Sequence, residues 1–389
     1  MSKKKALSSI QNPVPFKLQA LIERVLESNL VGFIKGSPGI GKSAIISSIA
    51  KSYNMLLIDI RLSGYDQTDI AGIPNFIDVK DAAGNVIGKR TTFIPNDVFP
   101  LKNMGDEAKL LKWNKDGTPK MVKDETGNMV QAEYDGWVVL LDEFTSASEA
   151  VQAACYQLIL DRKVGNHELM DNVLILAAGN KDTDGAIASE IGTALKSRVV
   201  TIEAEVEYEP WMDWANKHNI HHTITDYLRW KPELLHNFDP RVDQLTFPCP
   251  RTWEMLSDLI NDNNGVYDYI THTLALGTIG KIAVEFKAFS DIYATLPDIK
   301  VIMADPANAD MPTEPGHQYA LSGVLGKALG QKTIAPKDIA SIITYAERMS
   351  EEMQVVCFQP ALRNNFNLVV DPTMDKWIDK NQAMLATDF

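Results

Sequence analysis

Two kinds of hydrophobic patterning divide the chain. In its first half, apolar residues fall into short unbroken runs, Leu30 to Ile34, Trp137 to Leu141 and Val173 to Ala178. Such runs predict parallel strands covered on both faces, since a half-solvated strand alternates apolar and polar positions. Ala44 to Ala50, with Ile45, Ile46 and Ile49, predicts a buried helix, and a capping box at Ser146-Ala147-Ser148-Glu149 predicts another through about Leu160. After Glu203 the spacing turns helical. Trp211 and Trp214 stand one turn apart, and further helices are expected from about Thr252, over Tyr267 to Tyr293, Tyr319 to Leu329, Pro336 to Glu352 and Asp375 to Leu385. The proline-rich stretch Leu296 to Pro315 predicts a linker or extended strap.

About 80 residues lie between the second strand and Asp142, where connections are usually a few residues long. Turn signals organise them: Asp81 to Asn85, Asp116-Gly117 and Asp124 to Asn128 each predict a hairpin, as Gly165-Asn166 does within Arg162 to Leu169.

With 389 residues, 45% hydrophobic and 23% charged, the chain has the make-up of a globular protein of two to three domains. No run approaches the ~18 apolar residues of a membrane span, and Met1 to Leu7 has lysines without an apolar block behind them, so neither a span nor a secretory signal is expected. Cys155, Cys249 and Cys357 are odd in number and far apart, which predicts free thiols and a cytoplasmic location. The balance of 38 basic and 51 acidic residues, a formal charge of −13, disfavours coating a nucleic acid. Lys102 to Lys123 is accordingly expected to be a solvated basic loop. His218, His221 and His222 lack a cysteine or nearby carboxylate to complete a metal set, so none is expected there.

One motif carries chemistry. Gly36-Ser37-Pro38-Gly39-Ile40-Gly41-Lys42-Ser43, followed by Ala44, fits the phosphate-loop pattern G-x-x-x-x-G-K-[ST] and stands between a predicted strand and a predicted helix. The glycines let backbone N–H groups turn inward around a β-phosphate at the positive end of the helix dipole. Lys42 is then the point charge for the β- and γ-phosphates of ATP, and the Ser43 hydroxyl a ligand for Mg2+. Downstream, Asp142 and Glu143 end an apolar strand at the edge where open α/β sheets bind ligands. Asp142 is expected to hold the metal through its water shell and Glu143 to polarise an attacking water, which predicts hydrolysis. Asn180, after the Val173 to Ala178 run, offers an uncharged amide to the γ-phosphate or to that water.

These residues resemble the AAA+ ATPase superfamily, and within it the MoxR-type branch with a helix-2 insertion. The resemblance rests on Asp59 to Ser63, Thr68 to Gly72, Leu140 to Phe144, Ala178 to Asn180, Leu195 to Val199 and Pro250 to Trp253, in family order over about two thirds of the chain. It implies an α/β core of five parallel strands flanked by helices over residues 1–205, with the insertion at about 62–136. A helical lid over 206–295 and a linker with a helical extension over 296–389 follow. It also implies a homo-oligomeric ring, usually a hexamer, in which Arg198 reaches a neighbour's nucleotide and Arg251 closes the lid on the γ-phosphate. In the resembled branch the insertion faces the ring's pore or top, where Arg90, Phe93 and Phe99 are candidate contacts, although packing on their own domain is the preferred expectation. The implied work is chaperone-like maturation or remodelling of a protein client, often with a von Willebrand factor A domain adaptor. The rival readings are a nucleic-acid motor, an assembly switch with little turnover, and a chelatase-type subunit.

Overall fold

The computed structural model describes residues 16–124, 126–181, 191–242 and 244–382. The chain divides into two compact units: Lys17–Glu205 with Asp239–Arg241, and Val206–Phe238 with Val242–Phe389 and Phe16.

The first unit is built on a parallel sheet. Helix α1 (Lys17–Glu27) leads into β1 (Gly32–Gly36), the phosphate-loop segment, α2 (Lys42–Ser52), β2 (Met55–Arg61) and the short α3 (Gln67–Ala71). Two antiparallel hairpins follow, β3 (Ile73–Lys80) with β4 (Val86–Ile94), and β5 (Met121–Lys123) with β6 (Met129–Gln131). The chain returns to the sheet as β7 (Gly136–Asp142), then α4 (Glu149–Asp161), the small hairpin β8 (Lys163–Val164) and β9 (His167–Glu168), β10 (Val173–Gly179), α5 (Thr193–Lys196) and β11 (Val200–Ala204). The five sheet strands run in the order β11, β1, β10, β7, β2, all parallel. As expected from its unbroken apolar run, β7 is buried from Gly136 to Leu141, with Trp137 and Leu141 wholly covered. Removing each large aliphatic side chain of this strand from water stabilises the fold by about 1.5–3 kcal/mol.

The structure corrects the expected start of α4. Ser148, not Ser146, is the N-cap, its hydroxyl accepting from the Val151 N–H, because Phe144–Ser146 forms a 3-10 turn that buries Phe144 and Thr145. The expected turns in the long insertion are present. Asp81 and Asp124 each close their hairpin by accepting backbone N–H groups of the turn. Phe99 is fully buried in the core of this unit, which removes it as a partner contact, whereas Arg90 is exposed and Phe93 half-buried. In the basic stretch, Lys102 pairs with Asp171 at 2.6 Å and Lys109 with Asp106 at 2.8 Å.

The second unit is helical: α6 (Tyr208–Lys217), α7 (His222–Trp230), α8 (Pro250–Asp262), α9 (Tyr269–Thr278), α10 (Ile282–Ile292), α11 (Ile299–Ala304), α12 (Pro315–Leu329), α13 (Pro336–Ala346), α14 (Glu351–Asn364) and α15 (Pro372–Lys380). One hydrophobic cluster gathers Trp211, Tyr227, Trp253, Phe286 and Phe289; another gathers Leu321, Ile342, Tyr345, Phe358 and Trp377. Helix α12 packs against both α7 and α14, so residues on either side of position 296 share one unit. The expected strap contains α11, whose Ile302 is fully buried. The helix expected over Pro336 to Glu352 stops at Ala346, and α14 begins after Ser350, whose hydroxyl caps the Met353 N–H. The expected end of the last helix, Leu385, lies outside the described residues. Among the described residues no helix is long and apolar enough to cross a membrane. The three cysteines are free and buried, and burial pushes the Cys155 thiol up to about 12.

Candidate functional site

Parallel register aligns the carboxyl ends of four strands. Lys35 pairs with Gly179, Ala177 with Leu141 and Arg61 with Asp142, so the segments following β1, β10, β7 and β2 emerge along one sheet edge. The phosphate-loop segment takes the shape its glycines permit. Gly41 is the N-cap of α2 with φ of 91°, a left-handed conformation that L side chains rarely adopt. At Gly36 a Cβ would lie 2.8 Å from the Ala204 carbonyl oxygen and 2.7 Å from the Ile40 side chain, so only glycine lets β1 and β11 approach this closely. No side chain caps α2. Its first-turn N–H groups and its dipole therefore offer a binding end for an anion.

The candidate residues meet here. Lys42 is 9% exposed, and its ammonium donates to the carbonyls of Gly36 at 2.6 Å and Ser37 at 3.1 Å and to Asn180 Oδ1 at 3.4 Å. The Ser43 hydroxyl donates to Asp142 Oδ2 at 2.7 Å across 99 positions of sequence. These two oxygens are hard donors of the kind Mg2+ takes, and their mutual contact puts both within reach of one small cation. Glu143 follows Asp142 in a left-handed conformation, φ 56°, and its N–H donates to Asp142 Oδ1 at 2.8 Å. That turn separates the two neighbouring carboxylates: one faces Ser43, while the other accepts from the Ser63 hydroxyl. The Asn180 N–H donates to Thr145 Oγ1 at 3.0 Å, which fixes the backbone that carries its amide.

Three neighbours received no role from the sequence. Ser63 holds the Glu143 carboxylate, and Thr145 holds Asn180. Asp59, on β2, has a carboxyl raised above the ordinary range by desolvation first and then by the Asp142 charge, with Arg61 opposing. Their signal was positional: Ser63 and Asp59 flank the end of β2, beside the strand bearing Asp142, and Thr145 is two residues past Glu143. Recognising it required knowing that β2 and β7 are neighbours.

Two further expected residues belong to other segments of the chain. Arg198 is exposed between α5 and β11, with one guanidinium N–H donating to the Ala194 carbonyl at 2.9 Å. Arg251 is the exposed second residue of α8, in the helical unit. Among the described residues no group of three or more His, Cys, Asp or Glu side chains gathers as a metal set. The three histidines make ring contacts instead: His218 stacks on Trp214 at 4.5 Å, and His221 lies 4.3 Å from His222.

A five-stranded parallel sheet flanked by helices, a phosphate-loop segment at its carboxyl edge and a helical region after it define the class: a phosphate-loop α/β protein. No protein-family model matches the chain, and no curated protein matches it. Among solved structures it is similar to a candidate ATPase of Cytophaga hutchinsonii, at 13% identity and a TM-score of 0.31, over 99% of this chain and 94% of that one. It is also similar to RuvB of Thermotoga maritima, a Holliday junction branch migration motor, at 13% identity and a TM-score of 0.31, over 92% and 85% of the two chains. A mutant of the same RuvB gives 14% identity and a TM-score of 0.34 over 80% of each chain. The class is therefore defined by this chain's own strand order and loop.

Proposed function

We propose that this chain is a Mg-ATP-dependent ATPase of the AAA+ type, working as a ring of identical subunits. The observation that supports it is the convergence on one sheet edge of Lys42, Ser43, Asp142, Glu143 and Asn180 from three separate segments. In this reading the loop from Gly36 to Ala44 cradles the phosphates and Lys42 neutralises their charge. Ser43 and Asp142 hold Mg2+, which when bound screens the β- and γ-oxygens. Glu143 takes the proton of the attacking water, with Ser63 orienting its carboxylate, and Asn180 positions that water or the γ-phosphate. Arg198 is exposed and has N–H groups beyond the one given to Ala194, as a residue completing a neighbouring subunit's site requires. Arg251 acts as the lid's contact to the γ-phosphate.

The finer reading is the MoxR-type branch, with a protein client and a von Willebrand factor A domain adaptor; its support is the order of sequence motifs, and the net charge of −13 disfavours nucleic acid as the client. Calorimetry tests the core. ATP with Mg2+ should bind the wild-type chain and lose affinity at least tenfold in Lys42→Ala; no uptake of adenine nucleotide by the wild type would overturn the proposal. Phosphate release rising more than linearly with protein concentration is the expected sign of shared sites, and a strictly linear rate would remove Arg198 from them.

A further inference from the structure

The helical unit contains a cavity of about 570 Å³, a size typical of small-molecule sites, which run from about 300 to 1,000 Å³. Its walls come from the end of α6 and the segment joining it to α7, from α7, from the end of α8 and the turn after it, from α12 and the residues just past it, and from α14. Most such sites have apolar walls. This one is lined by amides: Asn216, Asn219, Asn261, Asn264, Gln331 and Asn364. An apolar guest would strip water from those groups and return no hydrogen bonds, so the wall selects a guest rich in donors and acceptors.

The charge in the lining is not balanced. Asp226 is buried and already occupied, ion-paired with Arg229 and accepting from the Tyr293 hydroxyl at 2.6 Å. Lys327, on the exposed side of α12, forms no ion pair among the described residues; its ammonium donates to His222 Nδ1 at 3.4 Å. A lysine can only donate, so that nitrogen is an acceptor and the His222 ring is neutral. His221 and His222 are both held down to about 4, by burial first and with the Lys327 charge contributing. Lys327 therefore leaves the lining with a net positive charge at neutral pH.

Two polar groups at the wall lack ordinary partners. The buried Nδ1 of His221 has no hydrogen-bond partner among the described residues. Pro360, inside α14, has no N–H for the carbonyl one turn back, at Val356, and both residues line the cavity. Gly323 and Gly326, with Gly330 at its C-cap, put the bare side of α12 on the lining. A Cβ at Gly323 would stand 2.3 Å from Asp226 Oδ2, and one at Gly326 would stand 2.5 Å from the Cys357 carbonyl oxygen. These glycines let α7, α12 and α14 close together while leaving space above them.

We propose that this cavity binds a small organic anion, whose carboxylate or phosphate group pairs with Lys327 and whose remaining polar groups hydrogen-bond to the amide wall. The site goes beyond the nucleotide reading and does not depend on it. The test follows the imidazole C–H resonances of His221 and His222 in the full chain by NMR, assigned with His221→Gln and His222→Gln. The probes are inorganic phosphate, glycerol 3-phosphate and N-acetylglycylglycine. Saturable shifts of both rings are expected, with dissociation constants on the order of 1 mM for such fragments. A response to the two phosphates alone identifies a phosphate head, and a response to the peptide alone a carboxylate. Lys327→Gln should weaken binding at least tenfold, and Gln331→Leu a few-fold. Lys42→Ala should leave the response intact, which separates it from anion binding at the phosphate loop. The proposal fails if none of the three probes shifts the rings saturably up to about 20 mM, a concentration well above that affinity range. It fails equally if Lys327→Gln keeps the full response or Lys42→Ala abolishes it.

Discussion

The phosphate-loop edge and the polar cavity are both binding surfaces, yet they are made in opposite ways. The first takes its anion-binding shape from eight consecutive residues, with Asp142 and Asn180 delivered by strand ends. The second is the space between helices, and its shape depends on Gly323 and Gly326 holding α12 against its neighbours. A site carried on a loop and on strand ends can lose its chemistry without losing its scaffold. A site formed by helix contacts cannot lose its contacts without losing stability.

Three substitutions bear on that difference, from the largest expected effect to the smallest. Glu143→Gln should lower phosphate release by about 10²–10⁴, the contribution of a positioned general base, with nucleotide affinity retained and the melting temperature little changed. A large fall in melting temperature would erase the distinction. Gly323→Ala should behave the other way, costing about 2–3 kcal/mol of stability by overpacking the Asp226 carboxylate, with nucleotide affinity unaltered. Gly277→Ala on α9 is its control. A Cβ there meets nothing within 4 Å, so this exchange should instead stabilise the helix by about 0.5–1 kcal/mol. Thermal denaturation reads both.

The histidine pair sharpens the picture through pH. In the folded chain His221 and His222 titrate near 4, below the ordinary 6.5. Between those values the unfolded chain binds more protons. The stability of the neutral pair is therefore fully present above 6.5 and is lost as pH falls toward 4. After discounting for partial solvent exposure, roughly 2 kcal/mol should disappear over that window. Denaturant melts of wild type and the double variant His221→Gln/His222→Gln should converge or cross as the pH is lowered; parallel curves would refute the cause given. Ser63→Ala, which frees the Glu143 carboxylate, should slow phosphate release by about tenfold or less, a cost near 1.4 kcal/mol, at unchanged nucleotide affinity.

How far the sequence was legible follows the same division. That Lys42, Ser43, Asp142, Glu143 and Asn180 would come together was legible because each is tied to a strand end or a loop whose signal is local, and the parallel sheet places strand ends together. Ser63 and Thr145 were not assigned, since their contacts depend on which strands neighbour one another. The five-stranded sheet followed from the resemblance, and the unbroken apolar runs marked its buried strands. In the helical unit periodicity located most elements but missed α7 and α11, and it missed α14. Its Ser350 cap fell inside the stretch read as one long helix, and Pro360 breaks the expected pattern although the helix continues through it. The cavity had no signature at all, because its lining joins residues more than a hundred positions apart.

Glu143 holds a backbone shape better suited to asparagine or glycine. A left-handed glutamate carries a conformational cost of about 1 kcal/mol or more. Selection for thermal endurance alone would erode this position, trading the acid for a more comfortable residue. Its retention would mark turnover, rather than durability, as what the molecule is kept for, and a laboratory lineage evolved only to survive heat should drift toward a sturdier, inert descendant.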